Sequence, residues 1–336
     1  MGDRVVRVHA IGGPGVLRID RMPVEPPREG EVGIRVEAIG LNRADAMFRR
    51  NTYLEKPVLP SRLGFEAVGE VTALGQGVDG IHIGQRVNVV PGAPLAAHGV
   101  CADWVNVPAA RVVPSPEGFT AAQAAALWMS YGTPYGALIE VCRIAQGQTV
   151  LITAANTTVG LAAIQICRSV GARPIGTVLQ EGMRQAVIDA GAGSVVVMDN
   201  EDLAQGLERA APDGIDAAFD AVGGPQVTTI AEAMRPRGTI VVHGALSPEP
   251  TPFPLKLALR NSLSMRGHLY TEVTDDPAAL VRAQQFFAEG VAAGFISPRI
   301  DRCFDLEEIS EAHAYLESGQ QFGKIVVMTQ TGGKTA

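Results

Sequence analysis

The first third of the chain alternates apolar and polar residues in short runs: Val5 to His9, Glu31 to Ala38, Glu66 to Ala73, Arg86 to Val90 and Cys101 to Val107. Gly and Pro punctuate them. A period of two predicts strands with one covered face. With no helical segment between most of them, they predict an antiparallel, barrel-like unit. Near residue 120 the pattern changes. Thr120 precedes an alanine-rich run, an N-cap and body that start a helix.

From Thr149 the chain alternates strand and helix. Strand-like runs are Thr149–Thr153, Pro174–Val178, Ser194–Met198, Ile215–Asp220, Thr239–His243 and Leu263–Gly267. Helical patterns fall at Gly160–Val170, Met183–Ala190, Leu203–Ala211 and Gln226–Met234. Runs such as Val-Leu-Ile-Thr are continuously apolar, as parallel strands covered on both faces require. Six such units predict an α/β, doubly wound parallel sheet. From about Ser297 short strands return, with one helix at Leu306–Ser318, and this tail is expected to rejoin the first domain. Residues 1–124 and 297–336 are therefore read as one domain and 125–296 as the other.

Composition narrows the class. A chain of 336 residues suits two domains, and 46% apolar with 19% charged residues excludes disorder. The net charge of −7 comes without a basic stripe, which disfavours nucleic acid as a partner. Cys101, Cys142, Cys167 and Cys303 lie far apart, so neither a disulfide framework nor a structural zinc is expected. No apolar run reaches the roughly 18 residues that span a bilayer, and Met1 to Ala10 has no apolar signal core. The expectation is a soluble, cytoplasmic protein without a membrane partner.

The most informative stretch is Thr149 to Ala172. A strand ends at Thr153, a short turn follows, and a helix opens near Gly160, the arrangement that offers backbone N–H groups and a helix dipole to an anion. Of the three glycines in the dinucleotide fingerprint only Gly160 is present; Ala155 and Thr157 stand at the other two positions. Asn156, Thr157, Thr158, Val159 and Gly160 are the candidate phosphate turn. Asp220-Ala-Val222-Gly223-Gly and His243-Gly244-Ala245-Leu-Ser follow the fourth and fifth strands, where ligands sit in such sheets. Small residues at three strand ends favour a bound dinucleotide. After the second strand no acid stands at the strand end to take a ribose 2′-hydroxyl, while Thr177 is there and Arg184 is the nearby cation. That favours NADPH over NADH.

Several segments in order carry a family resemblance: Gly40-Leu-Asn42-Arg-Ala-Asp45, Gly64-Phe65-Glu66-Ala-Val-Gly-Glu70, Gly84-Gln-Arg-Val87, Ala124 to Met129 followed by Gly132-Thr133-Pro-Tyr, the Val159-Gly-Leu turn, Asp220-Ala-Val-Gly-Gly and Phe322-Gly-Lys324-Ile-Val. Over nearly its whole length the chain resembles the medium-chain dehydrogenase/reductases, in particular their zinc-free quinone oxidoreductase and enoyl reductase branch. The resemblance implies a Rossmann-type domain beside a GroES-like barrel, and a homodimer. Zinc members carry Cys where this chain has Asn42 and His where it has Phe65, and they have a four-cysteine lobe that is absent here. No metal is therefore expected. The implied chemistry is hydride transfer to a quinone or α,β-unsaturated carbonyl; an enoyl thioester reductase and a non-catalytic NADPH-binding protein remain as alternatives. By resemblance Asn42 and Thr133 line nicotinamide and substrate, Lys324 lies at the cofactor, and Tyr53, eleven residues after Asn42, is a candidate proton donor or a pocket wall, Asn42 and Tyr53 being the candidate catalytic pair. Glu66, left without ligand partners, is read as structural.

Metal analysis of the purified, dialysed protein should find less than roughly 0.1 zinc per chain. A stoichiometric metal would overturn the argument from Asn42 and Phe65.

Overall fold

The computed structural model describes residues 3–329. By its internal contacts the chain divides into two compact units. The first takes the chain through Met129, then Thr274–Val291, then everything from Ser297. It begins with β1 (Asp3–Val8), β2 (Leu17–Met22), β3 (Glu31–Gly40), β4 (Ser61–Arg62), β5 (Glu66–Leu74), β6 (Arg86–Val89), β7 (Trp104–Pro108) and β8 (Val112–Pro114). The second unit contributes β9 (Thr149–Ile152), β10 (Arg173–Val178), β11 (Ser194–Val197), β12 (Ile215–Asp220), β13 (Met234–Val242) and β14 (Ser264–Gly267). The chain then returns to the first unit with β15 (Ile300–Asp305) and β16 (Lys324–Met328).

The first unit holds a three-stranded sheet, β2-β1-β4, and a seven-stranded one, β15-β16-β3-β5-β6-β8, with β7 also on β3. Val32, Ile34, Val36 and Ala38 of β3 are all buried, while Arg35 between them is exposed, the alternation expected of a half-covered strand. All pairings are antiparallel except β15 with β16, which run parallel. That pair departs from the all-antiparallel expectation. Thr120 caps the alanine-rich helix as read from sequence, its Oγ accepting from the Gln123 N–H at 3.2 Å. The helix Pro277–Ala292 differs from the sequence reading: most of it counts with the first unit, where Phe287 meets the edge of the Trp128 ring, centroids 5.1 Å apart.

The second unit is an all-parallel sheet in the order β11-β10-β9-β12-β13-β14. The two halves wind outward from β9 and β12. Every residue of β9 is buried, and Leu151, Ile175, Val196, Ile215 and Ile240 from five strands meet Leu207, Val227 and Ile230 from the covering helices. β14 stands at one edge of the sheet. Among the described residues no helix is long and apolar enough to cross a membrane.

One buried group gives the first unit a sensitivity to acid. His313, on the helix Ile309–Ser318, is fully buried, and neither ring nitrogen has a hydrogen-bond partner among the described residues. Burial, then the nearby Arg49 charge, lowers its pKa from 6.5 to about 3. The unfolded chain therefore binds a proton between these values that the folded chain refuses, and stability falls as pH drops from 6.5 toward 3. His313→Leu should lose this term. Its melting temperature, matched to wild type at pH 8, should exceed wild type increasingly below pH 6; parallel pH profiles would contradict the assignment.

Candidate active site

In the second unit three strand ends converge on one residue, Asp220. Asp220, the last residue of β12, is fully buried; its Oδ1 accepts from Thr153 Oγ1 at 2.7 Å, from the Val222 N–H at 3.0 Å and from Gln226 Nε2 at 3.1 Å, and its Oδ2 from the Gly223 N–H at 3.0 Å. Thr153 Oγ1 in turn accepts from the Ala221 N–H at 2.8 Å. The turns after β9 and β12 are thus locked together. The Asp220 carbonyl takes the His243 N–H at 2.9 Å, which ties in the end of β13.

The turn after β9 is built for close approach. A Cβ on Gly160 would lie 2.7 Å from the Ala155 carbonyl oxygen, so only glycine lets the helix Thr158–Ser169 start this near the strand. Thr157 is the N-cap: its Oγ1 accepts from the Gly160 N–H at 3.1 Å, leaving the hydroxyl proton as a donor. The expected turn Asn156 to Gly160 therefore exists at a helix start. Val222, Gly223, Gly244 and Ala245 follow the neighbouring strand ends as read from sequence.

Two residues expected at the cofactor also bond within their own unit. Thr177 is buried, and its Oγ1 accepts from the Ala154 N–H at 3.2 Å, so its side chain shapes the turn. Arg184, the cation nearest the second strand end in the sequence reading, is ion-paired: it donates to Glu181 at 2.7 Å, to Glu201 at 2.6 Å and to the Val195 carbonyl at 3.0 Å. Sequence spacing did not disclose Glu201 as its partner. Thr133 is buried, and its neighbours Tyr131 and Tyr135 bond Gln165 and Glu140, each at 2.7 Å. His243 stacks on Phe219 with centroids 3.8 Å apart, and burial lowers its pKa to about 3. Its imidazole is therefore neutral and stacked at the end of β13.

In the first unit the segments Gly40–Asp45, Phe65–Glu66 and Lys324 meet. Lys324, 2% exposed, places its ammonium 2.7 Å from Asn42 Oδ1 and 2.5 Å from Glu66 Oε1. Asn42 Nδ2 donates to the Gly40 carbonyl at 2.9 Å and to Glu66 Oε1 at 3.2 Å. Glu66 Oε2 accepts from the Met129 N–H at 2.9 Å. Gly40 is the close-approach point: a Cβ there would lie 2.1 Å from the Ala125 carbonyl oxygen and 2.9 Å from both Glu66 Oε1 and Lys324 Cε. Asp45 caps the Asn42 N–H at 2.9 Å, and its burial pushes its carboxyl up to about 7 against the pull of that bond and of Lys324.

This cluster revises two expectations. Both amide protons of Asn42 are engaged inside the unit, so Asn42 is a strut and not a donor to substrate. The Lys324 ammonium is a buried counter-ion for Glu66. Sequence reasoning missed Asp45 and the pairing of Lys324 with Asn42, 282 positions apart; the Asn-x-x-Asp capping pattern was the available signal for the first. Tyr53 stands with its ring edge-on to Phe65, centroids 5.3 Å apart. A zinc ion would find neither thiolate nor imidazole at Asn42 and Phe65, and a lysine ammonium already sits against Glu66; among the described residues no three His, Cys, Asp or Glu side chains group to hold a metal.

Residues 28–117 match the alcohol dehydrogenase GroES-like domain and residues 158–285 the zinc-binding dehydrogenase family model. A quinone oxidoreductase of Pseudomonas aeruginosa is 32% identical over 333 residues, covering 96% of this chain and 98% of that protein. The rat synaptic vesicle membrane protein VAT-1 homolog is 26% identical over 349 residues, covering 97% of this chain and 84% of that protein. Among solved structures, the Escherichia coli quinone oxidoreductase complexed with NADPH superposes with a TM-score of 0.87 at 28% identity, covering 97% of this chain and 99% of that one.

Proposed function

We propose, from the premise that this chain belongs to the quinone oxidoreductase branch of the medium-chain dehydrogenase/reductase superfamily, that it is an NADPH-dependent reductase of quinones and α,β-unsaturated carbonyl compounds that works without zinc. The chain is an oxidoreductase; what is proposed is the cofactor, the substrate class and the absence of metal.

One observation carries the reading. Lys324, Glu66 and Asn42 form an internal hydrogen-bonded ion-pair network, and Asn42 and Phe65 stand where a metal would need thiolate and imidazole ligands. An alcohol–ketone interconversion draws on a Lewis acid to polarise its carbonyl. Conjugate reduction asks less, since negative charge is delocalised along the substrate and a single proton donor completes the reaction.

The cofactor supplies hydride. Asn156, Thr157, Thr158, Val159 and Gly160 would hold its diphosphate at the helix start, and Val222, Gly223, Gly244 and Ala245 would flank it along the strand ends. Thr133 would border the nicotinamide. The preference for NADPH rests on the absence of an acid at the end of β10 and on its binding by the Escherichia coli relative; Arg184 would have to exchange a carboxylate for a 2′-phosphate. Tyr53 holds the proton at its hydroxyl oxygen, and the edge contact with Phe65 orients the ring.

A turnover panel tests this directly: NADPH and NADH with 1,2-naphthoquinone, a simple enone and a crotonyl thioester. NADPH should be oxidised faster than NADH with at least one acceptor; tight NADPH binding without any turnover would overturn the reading. Tyr53→Phe keeps the ring and removes the donor, so kcat on the enone should fall by about 10²–10⁴-fold, or roughly 3–5 kcal/mol of barrier, with NADPH affinity unchanged. Quinones should suffer less, because a reduced quinone oxygen can take its proton from water. More than half the wild-type kcat on the enone would make Tyr53 a wall.

We also propose a homodimer. β14 leaves an open sheet edge, and Phe253, Leu255 and Leu259 beside it in sequence are exposed apolar residues. Light scattering should give about twice the single-chain mass of 35.3 kDa; a monomer at micromolar concentration would contradict the pairing.

A further inference from the structure

Among the described residues, Lys324 is the cation whose charge meets both Asn42 and Glu66, and these two residues flank Tyr53 from opposite directions along the chain. Asn42 stands at the start of the helix Arg43–Arg49, which leads into Asn51 and Tyr53. Glu66 follows Phe65, whose ring braces Tyr53 edge-on at 5.3 Å. The ammonium holds the first at 2.7 Å and the second at 2.5 Å. Around it the packing is closed: Lys324 and Glu66 are 2% and 1% exposed, and Gly40 has no room for a methyl group. A buried carboxylate that loses its counter-ion must either take a proton or move. Loss of the ammonium also leaves Asn42 Oδ1 without its donor, and a shift of Glu66 would break its bond from Asn42 Nδ2 and let the two segments drift apart.

We infer that Lys324 is a positioning residue: its ammonium, tethered between Asn42 and Glu66, fixes the two segments that carry and brace Tyr53, and the space it fills accepts a small alkylammonium when the side chain is cut back. The inference rests on the proposed role of Tyr53. The lysine acts through Asn42 and Glu66, which its buried ammonium contacts.

The test uses Lys324→Ala in the full chain, with ethylammonium chloride as the probe and sodium chloride as the matched control. NADPH-driven enone reduction should fall by roughly 10- to 100-fold in kcat, the scale of a small misplacement of a reacting group, with KM for NADPH unchanged. Ethylammonium should raise both the melting temperature and the kcat of Lys324→Ala and leave wild type unmoved. If it raises neither, the cation site is overturned. If it raises the melting temperature alone, the ammonium supports the fold and the positioning role is overturned. The double variant Lys324→Met with Glu66→Gln keeps volume while removing both charges, a change that buried ion pairs commonly tolerate in stability. It should fold and remain slow with or without the amine; a wild-type rate would overturn the inference even if Lys324→Ala failed to fold. Wild type without enone turnover would refute the functional reading and the positioning role with it, while the melting-temperature shift would still report the cation site.

Discussion

The first unit is organised around a buried charge that its own sequence must neutralise. Glu66 is withdrawn from water at the start of β5, and the structure answers it with Lys324 from β16, the Asn42 amide and the Met129 N–H. Such a pair is costly to desolvate, and it holds only where every remaining donor and acceptor is met. Here the closeness of the backbone at Gly40 makes that possible, since a side chain at this point would push Ala125 and the pair apart. Removing one partner of a buried pair typically costs about 3–5 kcal/mol because the other charge is left buried and uncompensated, so Glu66 and Lys324, 258 positions apart, depend on one another.

The second unit solves a different problem by the same means. Its loops after β9 and β12 must be held in place at the carboxyl edge of the sheet. Asp220 does this with four accepted hydrogen bonds, three of them into its own neighbourhood and one from Thr153. The turn from Asn156 to Gly160 can therefore hold its form without two of the fingerprint glycines. Ala155 lies directly under Gly160, and the close helix approach that matters most is kept by that one residue.

Much of this was legible along the chain. The continuously apolar runs marked the parallel strands, and Thr120 marked its helix start. Short elements were not legible: β4 has two residues and β8 three, too few for a period to register. The parallel pairing of β15 with β16 was hidden as well, because it depends on where the chain returns and not on its alternation. At the site, the sequence pointed to Asn42, Lys324, Thr177 and Arg184 but not to what each bonds. Local pattern shows residue chemistry; it does not show that Arg184 folds back onto Glu201 or that the amide of Asn42 turns inward onto Glu66. Those outcomes are set by which opposite charge is within reach once the fold has closed.

The account turns on hydride reaching an activated carbon without help from a metal. NADPH carrying deuterium at the transferred position, incubated with the protein, a simple enone and a strong zinc chelator, tests that most directly. The account predicts a saturated ketone bearing one deuterium at the β-carbon, formed at the same rate with and without chelator. An allylic alcohol with deuterium on its carbinol carbon, or a reaction that the chelator stops, would contradict it.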